Sequence, residues 1–172
     1  MRLLFEMDKK DYDPNGRAFV RPSVRSIILQ DGKVAMVHSL KYDYYKFPGG
    51  GMEPGESQTQ TLIRETREES GLTVIPESIR EFGYVHRVQK SDEAGEYERF
   101  VQDNYYYLCE AEPGAKGQVL DDYEAEECFT LEFVSPEEAI RINRYAFHGP
   151  KDQVMLEREA RVLELLMEEK YL

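Results

Sequence analysis

Residues 49–72 of the chain read GGGMEPGESQTQTLIRETREESGL and carry most of the information about its fold. Ser57, followed three residues later by Gln60, predicts a capping box at the start of a helix. Gly71 has the character of the glycine that follows a helix end. The segment therefore predicts a glycine-rich loop followed by a helix over about residues 58–70.

Two faces of this helix have different chemistry. One is suited to packing on a sheet and carries Thr59, Leu62, Ile63 and Thr66. The other carries Glu65, Glu68 and Glu69 within an arc of about 100°. Like charges four residues apart destabilise a helix, and Arg64 can relieve part of this by pairing with Glu68. Clustered carboxylates suit Mg²⁺ or Mn²⁺, although a solvated acidic face is the alternative.

The glycine-rich loop before the helix favours a ligand site. Glycines let the backbone approach a ligand closely and can expose a carbonyl oxygen to a metal ion. No Lys-Ser/Thr pair follows the glycines, and the G-x-G-x-x-G spacing is absent, so neither a P-loop nor a dinucleotide fingerprint is present. Glu53 and Glu56 place negative charge where a direct phosphate cradle needs donors. Phosphate is therefore expected to be held through metal ions.

The spacing of these residues resembles a complete Nudix box, G-x5-E-x7-R-E-U-x-E-E-x-G-U, where U is a bulky apolar residue. The segment from Gly50 to Leu72 follows it through Glu56 and the Arg64-Glu65 pair. Thr66 stands where the family usually has an aliphatic residue, which affects local packing and not the chemistry. The flanking strand pattern is similar to the family's domain over about residues 20–145.

The resemblance implies the α/β class, with an α/β/α sandwich around a mixed β-sheet. It also implies metal-dependent hydrolysis of a nucleoside diphosphate linked to another moiety. The metal ligands that it implies are the Gly50 carbonyl and the carboxylates of Glu65, Glu68 and Glu69, with Glu56 in a supporting role or as an occasional ligand. Glu65 is implied as either a ligand or the base that activates water, and Arg64 as the ion-pair partner that holds the glutamates.

Many members of the family take another acidic ligand from a loop outside the box. The candidate stretch here is residues 121–127, which read DDYEAEE. Glu126 and Glu124 are the preferred ligand candidates in this stretch. An acidic loop with no ligand role is the alternative.

The sequence identifies the residues that contact the substrate less specifically than it identifies the metal ligands. Tyr44 and Tyr45 precede the glycine loop and are candidates to stack on a base, although strand alternation could turn them into the core. Candidate phosphate or ribose contacts are Arg21, Arg25 and Arg87, and a solvated strand edge is the alternative for each. The substrate is predicted to be a small nucleotide or nucleoside diphosphate derivative.

Composition limits the classes of partner. The 172 residues include 34 acidic and 22 basic side chains, for a formal net charge of −12. Binding to long nucleic acids needs clustered Lys and Arg and is not expected. No apolar run approaches the roughly 18 residues of a membrane-spanning helix, so no membrane partner is expected. The start of the chain lacks the apolar core of a signal peptide.

Cys109 and Cys128 lack CxxC spacing and are interpreted as buried thiols, and a cytoplasmic location is predicted.

Residues 1–20 are predicted to form an N-terminal extension packed on the domain. Residues 21–172 are predicted to form a single Nudix-like hydrolase domain that includes a C-terminal helix, with apolar residues at helical spacing from Leu156 to Met167. Asp92–Glu96 is predicted as a hairpin loop. A homodimer is compatible with the resemblance, because dimers are common in the family.

The predicted activity is that of a Mg²⁺-dependent pyrophosphohydrolase, with Mn²⁺ as an alternative ion, in which Arg64, Glu65, Glu68 and Glu69 carry catalysis. One alternative is a catalytically silent, Nudix-like domain that senses nucleotides. Another is a Nudix-like isoprenoid isomerase, which needs additional cysteine and glutamate chemistry at the site. Neither Cys109 nor Cys128 lies in a recognisable setting for that reaction.

Overall fold

The computed structural model describes residues 1–92 and 96–172. Its strands are β1 (Leu3–Asp8), β2 (Ala18–Val20), β3 (Ser23–Ile27), β4 (Leu29–Gln30), β5 (Lys33–Ser39), β6 (Tyr44–Lys46), β7 (Gly49–Gly51), β8 (Arg80–Lys90), β9 (Arg99–Leu108) and β10 (Phe129–Val134). Its α-helices are α1 (Gln58–Ser70), α2 (Asp122–Glu126), α3 (Pro136–Tyr145) and α4 (Gln153–Glu168), and Pro76–Ser78 forms a turn of 3₁₀-helix.

The strands form two sheets. The larger has the order β1-β8-β9-β3-β7, with β2 also pairing with β9, and it mixes parallel and antiparallel neighbours. The smaller is antiparallel, with the order β10-β5-β4 and β6 on the other edge of β5. This architecture confirms the predicted α/β class with a mixed sheet.

Apolar residues of helix α4 pack with residues from both sheets in the largest core. Val162, Leu163 and Leu166 of the helix meet Ile27 and Tyr106 of the larger sheet there, and all five are fully buried. Helix α1 packs on β3 and β9 through Leu62. The helices thus cover the sheets in layers. None of the helices within residues 1–92 and 96–172 is long and apolar enough to cross a membrane.

Helix α1 has the predicted bounds and ends. The Ser57 hydroxyl accepts from the Gln60 N–H at 3.3 Å, and the Gln60 side chain accepts from the Ser57 N–H at 2.9 Å, so the capping box is confirmed. Gly71 takes the left-handed conformation at the other end. Thr66 is fully buried on the sheet-facing side, as its spacing predicts.

The N-terminal residues supply strands to the larger sheet. β1 pairs in parallel with β8, and β2 pairs in parallel with β9. The division of the chain at residue 20 into an extension and a domain stays a prediction. The predicted hairpin loop joins the antiparallel strands β8 and β9, but its residues 93–95 lie outside the described part of the chain.

The two cysteines differ in their environment. Cys109 is buried as predicted, and burial raises the pKa of its thiol to about 12. Cys128 is exposed, so the prediction of a second buried thiol is wrong. Its backbone has a φ of 55° in the turn between α2 and β10, and this turn directs the side chain to solvent before the strand alternation begins.

Gly71 is expected to be intolerant of a side chain. Its φ is 74°, and a Cβ atom there would lie 1.9 Å from the Lys116 carbonyl oxygen. Gly114 is a matched control, because its φ is 83° but no atom lies within 4 Å of its Cβ position. Gly114→Ala should lower the free energy of unfolding by about 1–2 kcal/mol through backbone strain alone. Gly71→Ala should cost a further ~1–3 kcal/mol through the clash, measured by urea denaturation. Equal losses in the two variants would contradict this account.

Candidate active site

Glu69 ties helix α1 to the segment between β6 and β7. Its side chain is 1% exposed; one carboxylate oxygen accepts from Lys46 Nζ and the other from the Gly49 N–H at 2.9 Å. Lys46 is itself buried. A buried carboxylate is costly unless it is paired and hydrogen-bonded, and both conditions are met here. The end of α1 and the start of the glycine loop are therefore held in one position.

Arg64 is the centre of an ion-pair cluster on the same helix. Its guanidinium donates to Glu56 at 2.7 and 2.9 Å, to Glu65 at 2.8 Å and to Glu68 at 3.0 Å. The predicted pairing with Glu68 is thus confirmed. The cluster offsets the repulsion among the carboxylates. It also explains why the pKa of Glu56 is lowered to about 2, with Arg64 as the main cause.

Gly50 and Glu65 are in close contact. A Cβ atom on Gly50 would lie 2.3–2.6 Å from the Glu65 carboxylate atoms, so a larger residue here would displace that carboxylate. Burial raises the pKa of Glu65, and the neighbouring Arg64 charge opposes that rise. The backbone of the glycine loop and a carboxylate of α1 are therefore placed side by side.

The loop between β9 and α2 docks on the C-terminal end of α1. The Val119 N–H donates to the Glu68 carbonyl at 2.8 Å, and the Lys116 N–H donates to the Gly71 carbonyl at 2.9 Å. The last carbonyls of a helix lack partners within it, and this loop supplies them. The docking brings α2, which follows the loop, to the acidic face of α1.

Glu124 of α2 is the loop carboxylate that reaches Glu69. It is 4% exposed and accepts from the Asp121 N–H at 2.9 Å and from the Tyr123 hydroxyl at 2.8 Å. Burial raises the pKa of Glu124, and the Glu69 carboxylate raises it further through a hydrogen bond and its charge. Two acidic side chains thus share a poorly solvated place, which is a setting that a cation would stabilise.

These groups surround a cleft of about 330 Å³. Its lining residues are Arg21, Gly51, Met52, Glu53, Pro54, Arg64, Glu65, Glu68, Glu69, Val119, Asp121 and Glu124. Six of them are acidic, and Arg64 is committed to the glutamates. Within residues 1–92 and 96–172, the Arg21 side chain has no hydrogen bond or ion pair, and it lies against Gly51. The cleft therefore holds excess acid and a free guanidinium.

The donor set of the cleft suits a hard divalent cation. Carboxylate oxygens and a glycine carbonyl are the ligands that Mg²⁺ and Mn²⁺ prefer. The Glu65 carboxylate lies beside the backbone of Gly50, at the edge of the cleft. In the described part of the chain no three acidic, histidine or cysteine side chains already converge as a finished cation site. Arg64 and Lys46 pair with these carboxylates instead.

Glu126 and Arg87, which the sequence predicts as site residues, lie elsewhere. Glu126 is exposed and pairs with Lys41 at 2.5 Å, outside the lining of the cleft. Arg87 is buried, pairs with Asp152 and lines a separate cavity of about 220 Å³. Neither residue is brought to the glutamate cluster.

Tyr44, Tyr45 and Arg25 are turned into the protein. The Tyr44 hydroxyl donates to Glu127 at 2.8 Å, and the Tyr45 hydroxyl donates to Glu132 at 2.9 Å. Both rings are buried, as the core alternative anticipated. Arg25 is buried behind the glycine loop, where it donates to backbone carbonyls. A substrate role for these three residues stays a prediction, and they do not line the cleft.

Sequence reasoning missed Lys46. A lysine in a short strand between aromatic residues is more often at the surface than in the core, so its residue type did not identify Lys46 as a partner for Glu69. Its alternation with Tyr44 was the available signal, since both side chains point to the same side of β6. The sequence predicts both Glu124 and Glu126 as ligand candidates. Only the docking of the 116–119 loop on α1 shows that Glu124 lines the cleft and Glu126 does not.

A family model of the NUDIX domain matches residues 20–157, most of the chain. The chain belongs to the Nudix family. Residues 50–72 are thus its Nudix box, and the cleft is built mainly from that box.

Curated relatives match over 72 residues of the chain. An RNA pyrophosphohydrolase from Xanthomonas oryzae pv. oryzae is 38% identical over 72 residues, which span 41% of this chain and 33% of that protein. The protein of the same name from Stenotrophomonas maltophilia is 36% identical over 72 residues, or 41% of this chain and 32% of that one. The chain therefore matches about a third of the length of these curated relatives.

Solved structures show the same fold. A NUDIX hydrolase from Nitrosomonas europaea has a TM-score of 0.57 and 18% identity, and the match covers 84% of this chain and 90% of that one. A MutT NUDIX hydrolase from Burkholderia pseudomallei has a TM-score of 0.51 and 18% identity, covering 81% and 97% of the two chains. Both likenesses show a shared fold.

The Lys46–Glu69 pair should contribute strongly to stability. Lys46→Met leaves the buried Glu69 charge without its main partner and should lower the free energy of unfolding by about 3 kcal/mol. Lys41→Met is the matched control, because Lys41 pairs with the exposed Glu126 and its loss should change the free energy of unfolding far less than Lys46→Met does. Urea denaturation at neutral pH measures both. Similar losses in the two variants would show that Glu69 does not depend on Lys46.

Proposed function

We propose that this Nudix protein is a metal-dependent pyrophosphohydrolase. Its substrate would be a small nucleotide or nucleoside diphosphate derivative, and the diphosphate linkage would be cleaved. The observation that carries the proposal is the convergence of Glu65, Glu68 and Glu69 of the Nudix box with Glu124 at one cleft. Membership of the family supports the reaction class.

The proposed roles follow from the contacts. Glu65, Glu68, Glu69 and the Gly50 carbonyl would hold Mg²⁺ or Mn²⁺, with Glu124 as the added carboxylate and Glu56 supporting Arg64. Such an ion, when bound, neutralises phosphate charge and lowers the pKa of a bound water. Arg64 keeps the glutamates close together before any ion binds. Glu65 and Glu124, whose pKa values are raised, are the candidates to accept a proton from water.

Arg21 supports an anionic substrate. Its guanidinium lines the acidic cleft and has no partner among the described residues. Guanidinium groups bind phosphate oxygens through charge-assisted hydrogen bonds. Arg21 would therefore hold a phosphate group at the cleft.

The names of the curated relatives add a second candidate substrate, the 5′ end of an RNA. The net charge of −12 disfavours contact with a long polyanion, so we favour a small molecule. A catalytically silent sensor is less favoured, because all the acidic positions of the box and Arg64 are kept. Cytoplasmic location and homodimer formation stay predictions from the sequence.

The first test combines a substrate panel with two variants. Nucleoside triphosphates, dinucleoside polyphosphates, nucleotide sugars, ADP-ribose and a 5′-triphosphorylated RNA are incubated with Mg²⁺, and released phosphate and pyrophosphate are measured. Glu68→Gln and Glu124→Gln should each lower kcat on the best substrate, Glu68→Gln by about 100-fold or more. The exposed Glu77→Gln should stay within about twofold of the wild type. Unchanged turnover in Glu68→Gln would overturn the proposal.

The second test concerns Arg21. Arg21→Ala should raise KM by about 10-fold or more, because a charge-assisted contact to phosphate is lost. Its kcat should change by less than about threefold, since the contact binds substrate and transition state alike. Arg80→Ala is the control, because Arg80 is exposed and outside the cleft. If the KM of Arg21→Ala is the same as that of Arg80→Ala, Arg21 does not bind the substrate.

A further inference from the structure

Helix α4 carries a buried charged pair toward the glycine loop. Arg158 and Glu159 are adjacent in sequence and at most 1% exposed. One oxygen of Glu159 accepts from the Phe47 N–H at 3.0 Å. The other accepts from Arg158 Nε at 2.9 Å and from the Tyr106 hydroxyl at 3.3 Å. A charge from the last helix thus holds the backbone directly before the Nudix box.

Arg25 holds the same segment from strand β3. One nitrogen of its guanidinium donates to the Phe47 carbonyl at 3.4 Å and to the Gly49 carbonyl. The N–H of Gly49 donates in turn to Glu69. Segment 47–49 is therefore held by Glu159 on one side and by Arg25 on the other, which together form a clamp. Its last residue, Gly49, contacts Glu69, which is a proposed metal ligand.

Glu159 is charged in this environment. Burial alone would raise its pKa, but the charges of Arg158 and Arg25 and the Phe47 N–H hold that pKa below its usual range. A buried ion pair is weak evidence for stability, because desolvation offsets much of the attraction. Directional hydrogen bonds to the backbone, by contrast, fix a position. This favours a positioning role over a purely stabilising one.

We propose that Glu159 is a positioning residue of the active site, which fixes the Phe47–Gly49 backbone and thereby the placement of Glu69 and Gly50. The proposal rests on the proposed function, since it assigns a purpose to the clamp at that same cleft. It gives the C-terminal helix, which lies outside the Nudix box, a part in metal binding.

The test compares two variants of Glu159 with a control on the same helix. Glu159→Leu removes the acceptor for Phe47, and Glu159→Gln keeps one oxygen that can accept from it. Leu163→Ala is the matched control, because Leu163 is fully buried one turn away in the apolar core that also holds Phe47, but its side chain has no polar atom that could accept from the Phe47 N–H. The three variants separate loss of the clamp from loss of stability.

The readouts are hydrogen exchange, metal affinity and steady-state kinetics on the full chain. Glu159→Leu should speed amide exchange in residues 47–51 relative to strand β8, and weaken Mn²⁺ binding by about 10-fold or more in calorimetry. Its kcat at saturating metal should fall by about 10-fold or more, with KM within about threefold. Glu159→Gln should retain much of each property. Leu163→Ala should lower the melting temperature while keeping Mn²⁺ affinity within about twofold.

The outcomes separate this inference from the proposed function. If Glu159→Leu and Glu159→Gln both bind Mn²⁺ and exchange as the wild type does, the positioning role is wrong. The role is equally excluded if Leu163→Ala weakens Mn²⁺ binding to the same extent as Glu159→Leu. If Glu159→Leu does not fold, Glu159→Gln tests the role by itself. Glu159→Gln keeps the hydrogen bond to Phe47 but loses the negative charge, so the positioning role requires its Mn²⁺ affinity to fall below that of the wild type. An unchanged Mn²⁺ affinity in Glu159→Gln would then overturn the role. Failure of the proposed function shows instead as no turnover on any substrate by the wild type.

Discussion

The structure depends on how the charge of Glu69 is balanced. This carboxylate is shielded from water, and its partners are a buried lysine of β6 and the amide of Gly49. A buried charge without partners costs several kcal/mol, so the helix, the strand and the glycine loop must keep this arrangement. Gly49 also ends the segment that Glu159 and Arg25 hold, and it leads directly into Gly50, which lies beside Glu65.

Charge balance also sets the chemistry that the cleft can perform. Arg64 and Lys46 neutralise part of the acid in the absence of a metal ion, and Arg21, whose side chain has no partner among the described residues, lines the same cleft. A cleft with this excess of carboxylates repels a bare phosphate. Bound divalent cations would add positive charge and reverse the local sign. The net charge of −12 is therefore compatible with a phosphate substrate, provided that the substrate arrives with metal.

Much of the helix and its acidic face could be predicted, because the information is local. The Ser57–Gln60 capping box, the Gly71 end and the Arg64–Glu68 pair involve residues at most four apart, where helix geometry fixes their relation. Glu124 could be named only as one of two candidates. Its choice over Glu126 depends on backbone hydrogen bonds between the 116–119 loop and the end of α1, about fifty residues away in sequence.

The partners of two tyrosines and two arginines, by contrast, could not be predicted from the sequence. Tyr44 and Tyr45 have the composition of a stacking site, but each hydroxyl finds a carboxylate more than eighty residues away. Arg25 is drawn to backbone carbonyls of the neighbouring segment, and Arg87 to Asp152. Which buried polar group meets which partner is a question of sheet register and helix docking, and no pattern along the chain encodes it directly.

By itself the sequence determined the Nudix box, the bounds of its helix and the acidic character of the site. Short-range hydrogen bonds and the 3.6-residue period set these features. Only the tertiary structure decided that Lys46, Glu124 and Glu159 surround the box and that Arg21 lines the cleft beside it. The physical reason is that buried charges select partners by proximity in space, and that proximity arises only when the sheets and helices pack together.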